Sequence, residues 1–251
     1  MLACSDIGSG TPLVLLHAFP LDRGMWEPQR PLSESCRVIA VDLPGFGSSA
    51  VDPGFTIDSA ADRVADLLDS LKLGTVALGG LSMGGYVAMA FARRHPEKLS
   101  RLILADTRSE ADDAAGRDNR DRLIKLTEEF GPSKVYEVML PKVMSDETQK
   151  NRPDTVAFVR GIAARQSSAG VIGGLAALRD RPDATPGLER IAVPTLIVVG
   201  EADAITPPAL SESMAKRIPG GKLIRIPNAG HLANVENPDT FNRSLTDFLE
   251  G

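Results

Sequence analysis

Two kinds of pattern alternate along the chain. Short apolar runs occur at 13–16, 37–41, 75–78, 99–106, 194–199 and 222–226. Each is strand-sized and closed by turn-forming residues, which suits strands buried on both faces of a parallel sheet. Between them, apolar residues recur at helical spacing. Over 57–73 these are Val64, Leu67, Leu68 and Leu71, with Thr56 placed to cap the start and Gly74 to stop the end. Over 86–94 the chain is dense in alanine and methionine, Val87 and Phe91 share a face, and Pro96 ends the helix. A closing amphipathic helix follows Asn237-Pro238 and carries Phe241, Leu245, Phe248 and Leu249. Strand, helix and strand in that order predict an α/β fold with right-handed parallel crossovers.

The alternation breaks from 107 to 185, where no strand-like run occurs and helical stretches are predicted at 112–129, 133–144, 155–165 and 167–178. So long an interruption predicts an inserted helical lid (107–185) docked over the C-terminal edge of a core made of 1–106 and 186–251. Val135, Val138, Met139 and Val143 form one apolar stripe of this lid, and Val156, Val159 and Ile162 another. Both are expected to pack the lid and to roof an apolar pocket.

Chemistry concentrates at Gly80-Leu81-Ser82-Met83-Gly84, between the strand at 75–78 and the helix at 86–94. A G-x-S-x-G turn strains the serine backbone, and the flanking glycines remove side chains that would collide with strand or helix. The hydroxyl is left exposed at a helix N-terminus, where the free Met83 amide can donate to an oxyanion and the helix dipole favours negative charge. In this context the pattern resembles the nucleophile elbow of α/β-hydrolase fold enzymes, in their carboxylesterase and 3-oxoadipate enol-lactonase-like branch. The H-A-F-P turn from His17, the D-L-P-G-F-G-S-S loop from Asp42 and the G-E-A-D-A-I-T-P-P segment from Gly200 resemble that branch too.

The resemblance implies a mostly parallel central sheet flanked by helices. It implies that the Phe19 amide, two residues after His17, supplies the second oxyanion donor beside Met83, with Ala18 standing where glycine is usual. The family often has two antiparallel strands ahead of its first parallel one. Only a dozen residues are available for them here, so a shortened sheet edge is expected.

A serine hydroxyl needs a base to become a nucleophile, and the base needs an orienting partner. Of the three histidines, His95 beside Pro96 reads as a helix-terminal residue and His17 as a brace of its turn. His231 follows the last strand and completes the order Ser, Asp, His that the resemblance implies. Asp203 is expected to be the acid, just past a strand end where α/β sites form. Asp106 and Glu201 are its competitors, Glu201 reading as a solvated neighbour. Asp42 is expected to brace its loop, Met25 and Trp26 to pack the loop onto the core or to contact substrate, and Arg160 and Arg165 to be solvated lid cations that an anionic substrate would need.

The function implied is hydrolysis of small, short-chain carboxylic esters through an acyl-enzyme on Ser82. The alternative is an enol-lactonase or related lactonase or perhydrolase, and a third reading is a ligand-binding receptor of the same fold. The remaining features narrow the choice. The length suits one α/β domain with an insertion, and a net charge of −5, mixed along the chain, points to neither nucleic acid nor an anionic membrane. The N-terminal stretch has no basic and apolar leader, no apolar run is long enough to span a bilayer, and a cytoplasmic protein with Cys4 and Cys36 as reduced thiols is expected. No ligand spacing or phosphate-binding glycine loop calls for a metal or nucleotide cofactor, so the partner expected is a small-molecule ester or lactone alone.

Overall fold

The computed structural model describes residues 1–52 and 54–251. The chain opens with β1 (Cys4–Ile7), β2 (Pro12–Leu16), a 3-10 helix at Arg23–Glu34, and β3 (Arg37–Val41). β1 pairs antiparallel with β3, and β2 pairs parallel with it. The expected shortening of the edge thus takes the form of a single antiparallel strand. α1 (Ile57–Ser70) begins at a capping box in which Thr56 and Ser59 satisfy each other's backbone amides. It ends before Leu73, because Lys72 takes a positive φ of 56° and turns the chain ahead of Gly74.

β4 (Val76–Leu81) extends past its apolar run through Gly79 and Gly80, since β2 on one side and β5 (Leu99–Ala105) on the other supply parallel ladders along it. α2 (Met83–Arg94) starts directly after Ser82. Between β5 and the next strand lie α3 (Ala114–Phe130), α4 (Pro132–Val143), α5 (Asp146–Asn151), α6 (Pro153–Ala164) and α7 (Ser168–Arg179). α5 was not anticipated, since DETQKN has no apolar periodicity; Ser145 caps it by accepting the Thr148 amide. Along α4, Val135, Tyr136 and Val143 are buried, whereas Val138 is 53% exposed. The buried face of α4 therefore runs through Tyr136 and leaves Val138 outside the stripe expected for it. The chain closes with β6 (Thr195–Gly200), α8 (Pro208–Arg217), β7 (Lys222–Ile226), α9 (Ala233–Glu236) and α10 (Pro238–Glu250).

The seven strands form one sheet in the order β1-β3-β2-β4-β5-β6-β7, parallel except at β1. Successive side chains point to opposite faces. Val14, Leu16, Ile39, Val41, Leu78, Leu102 and Leu104 pack under α1 and α2, while Leu13, Leu15, Val38, Ala40, Ala77 and Ile103 pack with the 3-10 helix and α10. Burial on both faces explains why these strands read as continuous apolar runs. From β2 the chain moves outward to β3, and from β4 it moves the opposite way to β5. The crevice where the winding reverses lies at the carboxyl ends of β2 and β4, where open α/β sheets bind ligands. The loop of His17 and the turn of Ser82 both leave the sheet there.

Candidate active site

Ser82 has φ 54° and ψ −111°, a sparsely populated conformation for a residue with a side chain. Such geometry costs on the order of 1–3 kcal/mol and persists only where its surroundings impose it. Here the Ser82 amide donates to the Ala105 carbonyl at 3.0 Å, and the Thr107 hydroxyl donates to the Ser82 carbonyl at 2.9 Å. A methyl group on Gly80 would strike the Gly84 carbonyl, and one on Gly84 would strike the Leu16 carbonyl. The glycines are thus required by close approach of α2 to β4 and β2, which is what holds the turn tight.

The Ser82 hydroxyl lies 2.8 Å from Nε2 of His231, which follows β7. On the other side of the ring, Nδ1 lies 2.8 Å from Oδ2 and 3.0 Å from Oδ1 of Asp203, which follows β6. Three side chains from three strand ends therefore form one hydrogen-bonded line. Asp203 is itself fixed, accepting from the amides of Ile205 (2.8 Å) and Thr206 (2.9 Å) and from the Thr206 hydroxyl (2.6 Å). Burial alone would raise its carboxyl, but the adjacent His231 and the Thr206 donors outweigh that and hold it below its usual range. An ionised Asp203 requires the proton on Nδ1 of His231, leaving Nε2 free to accept from Ser82.

The turn after β2 is braced by His17, which is fully buried. Its Nε2 accepts the Leu43 amide and its Nδ1 donates to the Ala18 carbonyl, both at 2.9 Å. Burial depresses the imidazole pKa, so the ring is neutral and spent on tying this turn to the Asp42 loop. Asp42 in turn accepts the amides of Arg23 and Ser48, each at 2.8 Å, and pairs with the Arg23 guanidinium. The Ala18 amide donates to the Met25 sulfur at 3.1 Å, a contact that orients the Ala18–Phe19 segment. Among the described residues the Phe19 amide donates to no other group, and Met83, at the first position of α2, has no acceptor within its helix. Trp26 packs on Phe241 with ring centroids 6.2 Å apart.

The competitors of Asp203 stand elsewhere. Glu201 is exposed. Asp106 is fully buried and accepts the amides of Gly200 (2.8 Å) and Ala233 (3.3 Å), so it links the loop of Asp203 to the loop of His231 without touching the imidazole. Burial, then the charge of Asp203, push its carboxyl well above the usual range. His95 is bonded to Asp62 at 2.8 Å at the end of α2, far from this line.

Arg165 is not merely solvated. It grips Asp22 with Nε at 2.7 Å and Nη2 at 2.6 Å, while Gln166 donates to Asp22 at 2.8 Å and accepts the Gly47 amide at 3.0 Å. This latch joins the end of α6 to the loops after β2 and β3. Burial alone would raise the Asp22 carboxyl, but hydrogen bonds from Arg165, the Gly24 amide and Gln166 hold it below its usual range. A depressed folded pKa stabilises the native state above the unfolded value and loses that contribution as pH falls through the folded one. Thermal unfolding of wild type and Asp22→Asn is therefore expected to differ most at about pH 7 and to draw together as pH falls below the unfolded carboxyl value of about 3.9, and a difference that stays constant through the acid range would count against the latch.

Sequence reasoning missed Thr206, the contact of the Met25 sulfur with the Ala18 amide, Asp22 with Gln166, and Glu236, whose carboxylate accepts the Gly230 amide beside His231. Their partners are backbone groups or side chains far along the chain, and no local period marks them. Thr206 alone carried a signal, a hydroxyl three residues past a loop carboxylate.

The model of the alpha/beta hydrolase family matches residues 13–244, and the chain belongs to that family. It is similar to a thermophilic esterase from Thermogutta terrifontis, 41% identical, with a TM-score of 0.96 over 99% of this chain and 93% of that one. It is also similar to the enol-lactonase from Burkholderia xenovorans LB400, 26% identical, with a TM-score of 0.92 over 100% of this chain and 96% of that one. The pimeloyl-(acyl-carrier protein) methyl ester esterase of Neisseria meningitidis is 31% identical over 94% of this chain and 93% of its own length. Among the described residues no helix is long and apolar enough to cross a membrane.

Proposed function

We propose that the protein is a serine hydrolase of small carboxylic esters with short acyl chains, working through an acyl-enzyme. The observation that carries this reading is the hydrogen-bonded line from Ser82 through His231 to Asp203. His231 takes the Ser82 proton as the oxygen attacks the ester carbonyl, and the amides of Phe19 and Met83 receive the oxyanion. The imidazolium then protonates the leaving alkoxide, and water, activated by the same ring, hydrolyses the acyl group. Asp203 stays ionised and holds the tautomer. Residues 107–185 form the lid over this site.

An apolar acyl site of modest size is supported by Tyr136, Val143, Met144, Val159 and Ile162 of the insertion, which belong to the same buried apolar cluster as Leu81, the neighbour of Ser82, and as Ala18 and Leu21 of the loop after β2. A separate cavity of about 420 Å³ runs along α2 past Tyr86, Met89 and Arg93, and neither Ser82 nor His231 lines it. Each methylene buried contributes about 0.8 kcal/mol, so kcat/KM for p-nitrophenyl esters is expected to rise by up to about tenfold from acetate to butyrate. Longer chains reverse the trend once the site is full. A maximum at palmitate would refute a short-chain site.

The same machinery opens a lactone, and relatives named as lactonases keep that reading in play. Arg165, the lid cation an anionic enol-lactone would call on, is already paired with Asp22, which favours an uncharged ester. Slow turnover of every p-nitrophenyl ester together with rapid opening of an anionic enol-lactone would reverse that preference.

A further inference from the structure

We propose that Glu236 is a positioning residue for the reaction: its buried carboxylate holds the amides of the residues before and after His231 and ties them to the helical insertion. It rests on the assignment of His231 as general base made above. Glu236 ends the four-residue α9 and is 2% exposed. Its Oε1 accepts the Gly230 amide at 2.9 Å and the Leu232 amide at 3.4 Å, the residues immediately before and after His231. Its Oε2 accepts the amide of Ser145, the residue that caps α5, at 2.9 Å. Its main-chain carbonyl accepts from the Arg152 guanidinium, between α5 and α6. No lysine, arginine or histidine pairs with its carboxylate among the described residues, so backbone amides satisfy the charge.

Packing at this junction is equally tight. A methyl group on Gly230 would stand 2.6 Å from the Ser145 nitrogen, 3.0 Å from the Met144 carbonyl carbon and 3.1 Å from Glu236 Oε1. The backbone of the insertion is thus pressed against the loop one residue ahead of the base. α9 folds Glu236 back over that loop, since the amides of Val235 and Glu236 both donate to the Leu232 carbonyl. The next amide, that of Ala233, goes to Asp106. The loop that delivers His231 therefore has its amides on either side of the imidazole anchored to buried carboxyl groups, and only the Glu236 anchor reaches the insertion. Displacing the imidazole by even about 1 Å from Ser82 costs on the order of a hundredfold in rate, so this anchor bears directly on proton transfer.

A carboxylate suits the task because every facing group is a donor. In Glu236→Gln the amide nitrogen must confront either the Ser145 amide or the pair from the His231 loop, and one of the two ties is lost. The test measures p-nitrophenyl butyrate hydrolysis by the full chain, with active sites counted by the stoichiometric release of p-nitrophenolate from diethyl p-nitrophenyl phosphate. Glu236→Gln is expected to lower kcat per counted site by about 10- to 100-fold with KM changed less than about threefold, and to slow phosphorylation of Ser82 in parallel. Gly230→Ala, which wedges the insertion away without altering the carboxylate, is expected to give the same signature. A purely structural Glu236 would instead give fewer counted sites, each with normal kcat, and that result in both variants would overturn the proposal. Ser82→Ala is run beside them. If it is inactive while Glu236→Gln works normally per site, the role of Glu236 alone is wrong; if it hydrolyses esters normally, the assignment of Ser82 and His231 falls and the role of Glu236 with it.

Discussion

Ser82→Ala is expected to abolish ester hydrolysis, by a factor on the order of 10⁶ in kcat, while leaving the fold intact. The size follows from the geometry. Among the described residues, only the Ser82 oxygen stands 2.8 Å from Nε2 of a histidine whose other nitrogen is held by a buried carboxylate. Without that oxygen the amides of Phe19 and Met83 can still polarise a carbonyl, which leaves a small residual rate but no covalent route. The fold is spared because alanine keeps the same backbone strain at φ 54°, and the bonds holding the turn use the Ser82 main chain. Replacement by glycine gives an internal check. Glycine relieves the strained conformation, so Ser82→Gly is expected to unfold at higher temperature than Ser82→Ala, by a margin worth about 1 kcal/mol or more, while being equally inactive. Purified Ser82→Ala with wild-type turnover would remove the serine from the mechanism.

Asp203→Asn is expected to cut kcat by about 10⁴, whereas Asp106→Asn should cost far less. Asparagine at 203 presents an amide that can hold the opposite tautomer of His231, with Nε2 protonated and unable to accept from Ser82. It also withdraws the charge that stabilises the imidazolium. Asp106 has neither duty. Among the described residues its carboxyl reaches the site through the amides of Gly200 and Ala233, and burial and the charge of Asp203 oppose its ionisation. Asparagine at 106 keeps one oxygen for one of these two amides and gives up the other, which loosens a loop but leaves His231 its acid partner. Purified variants assayed at pH 7 decide the matter, and a larger loss at Asp106 than at Asp203 would transfer the role of the acid.

The elbow was legible because its constraints are local. Two glycines two residues from a serine, between an apolar run and an alanine-rich stretch, can satisfy one turn only, and the structure places them against Gly84 and Leu16 as that turn requires. His231 and Asp203 were legible through their positions after strands, which chain order and apolar runs define. Boundaries were less so. β4 continues through Gly79 and Gly80, residues with no strand propensity of their own, because its neighbours dictate the ladder. Helical spacing puts Val138 on the buried face of α4, but Tyr136 occupies that face instead. The supports of the site were least visible. Glu236 sits in A-N-V-E-N-P, a stretch that could equally be a solvated turn, and what makes it a buried anchor is Ser145, 91 residues earlier. Arg165 reads as a surface cation until the fold brings Asp22 to it across 143 residues.

The central claim is that catalysis passes through a covalent intermediate on Ser82, and labelling by diethyl p-nitrophenyl phosphate followed by peptide mass spectrometry tests it most directly. One equivalent of p-nitrophenolate should be released per chain as activity vanishes. The diethylphosphoryl group should be found on the peptide containing Ser82 and be absent from Ser82→Ala, and its attachment should slow sharply in Asp203→Asn. Complete inactivation with the label on another residue, or undiminished ester turnover by a protein fully labelled at Ser82, would contradict the mechanism.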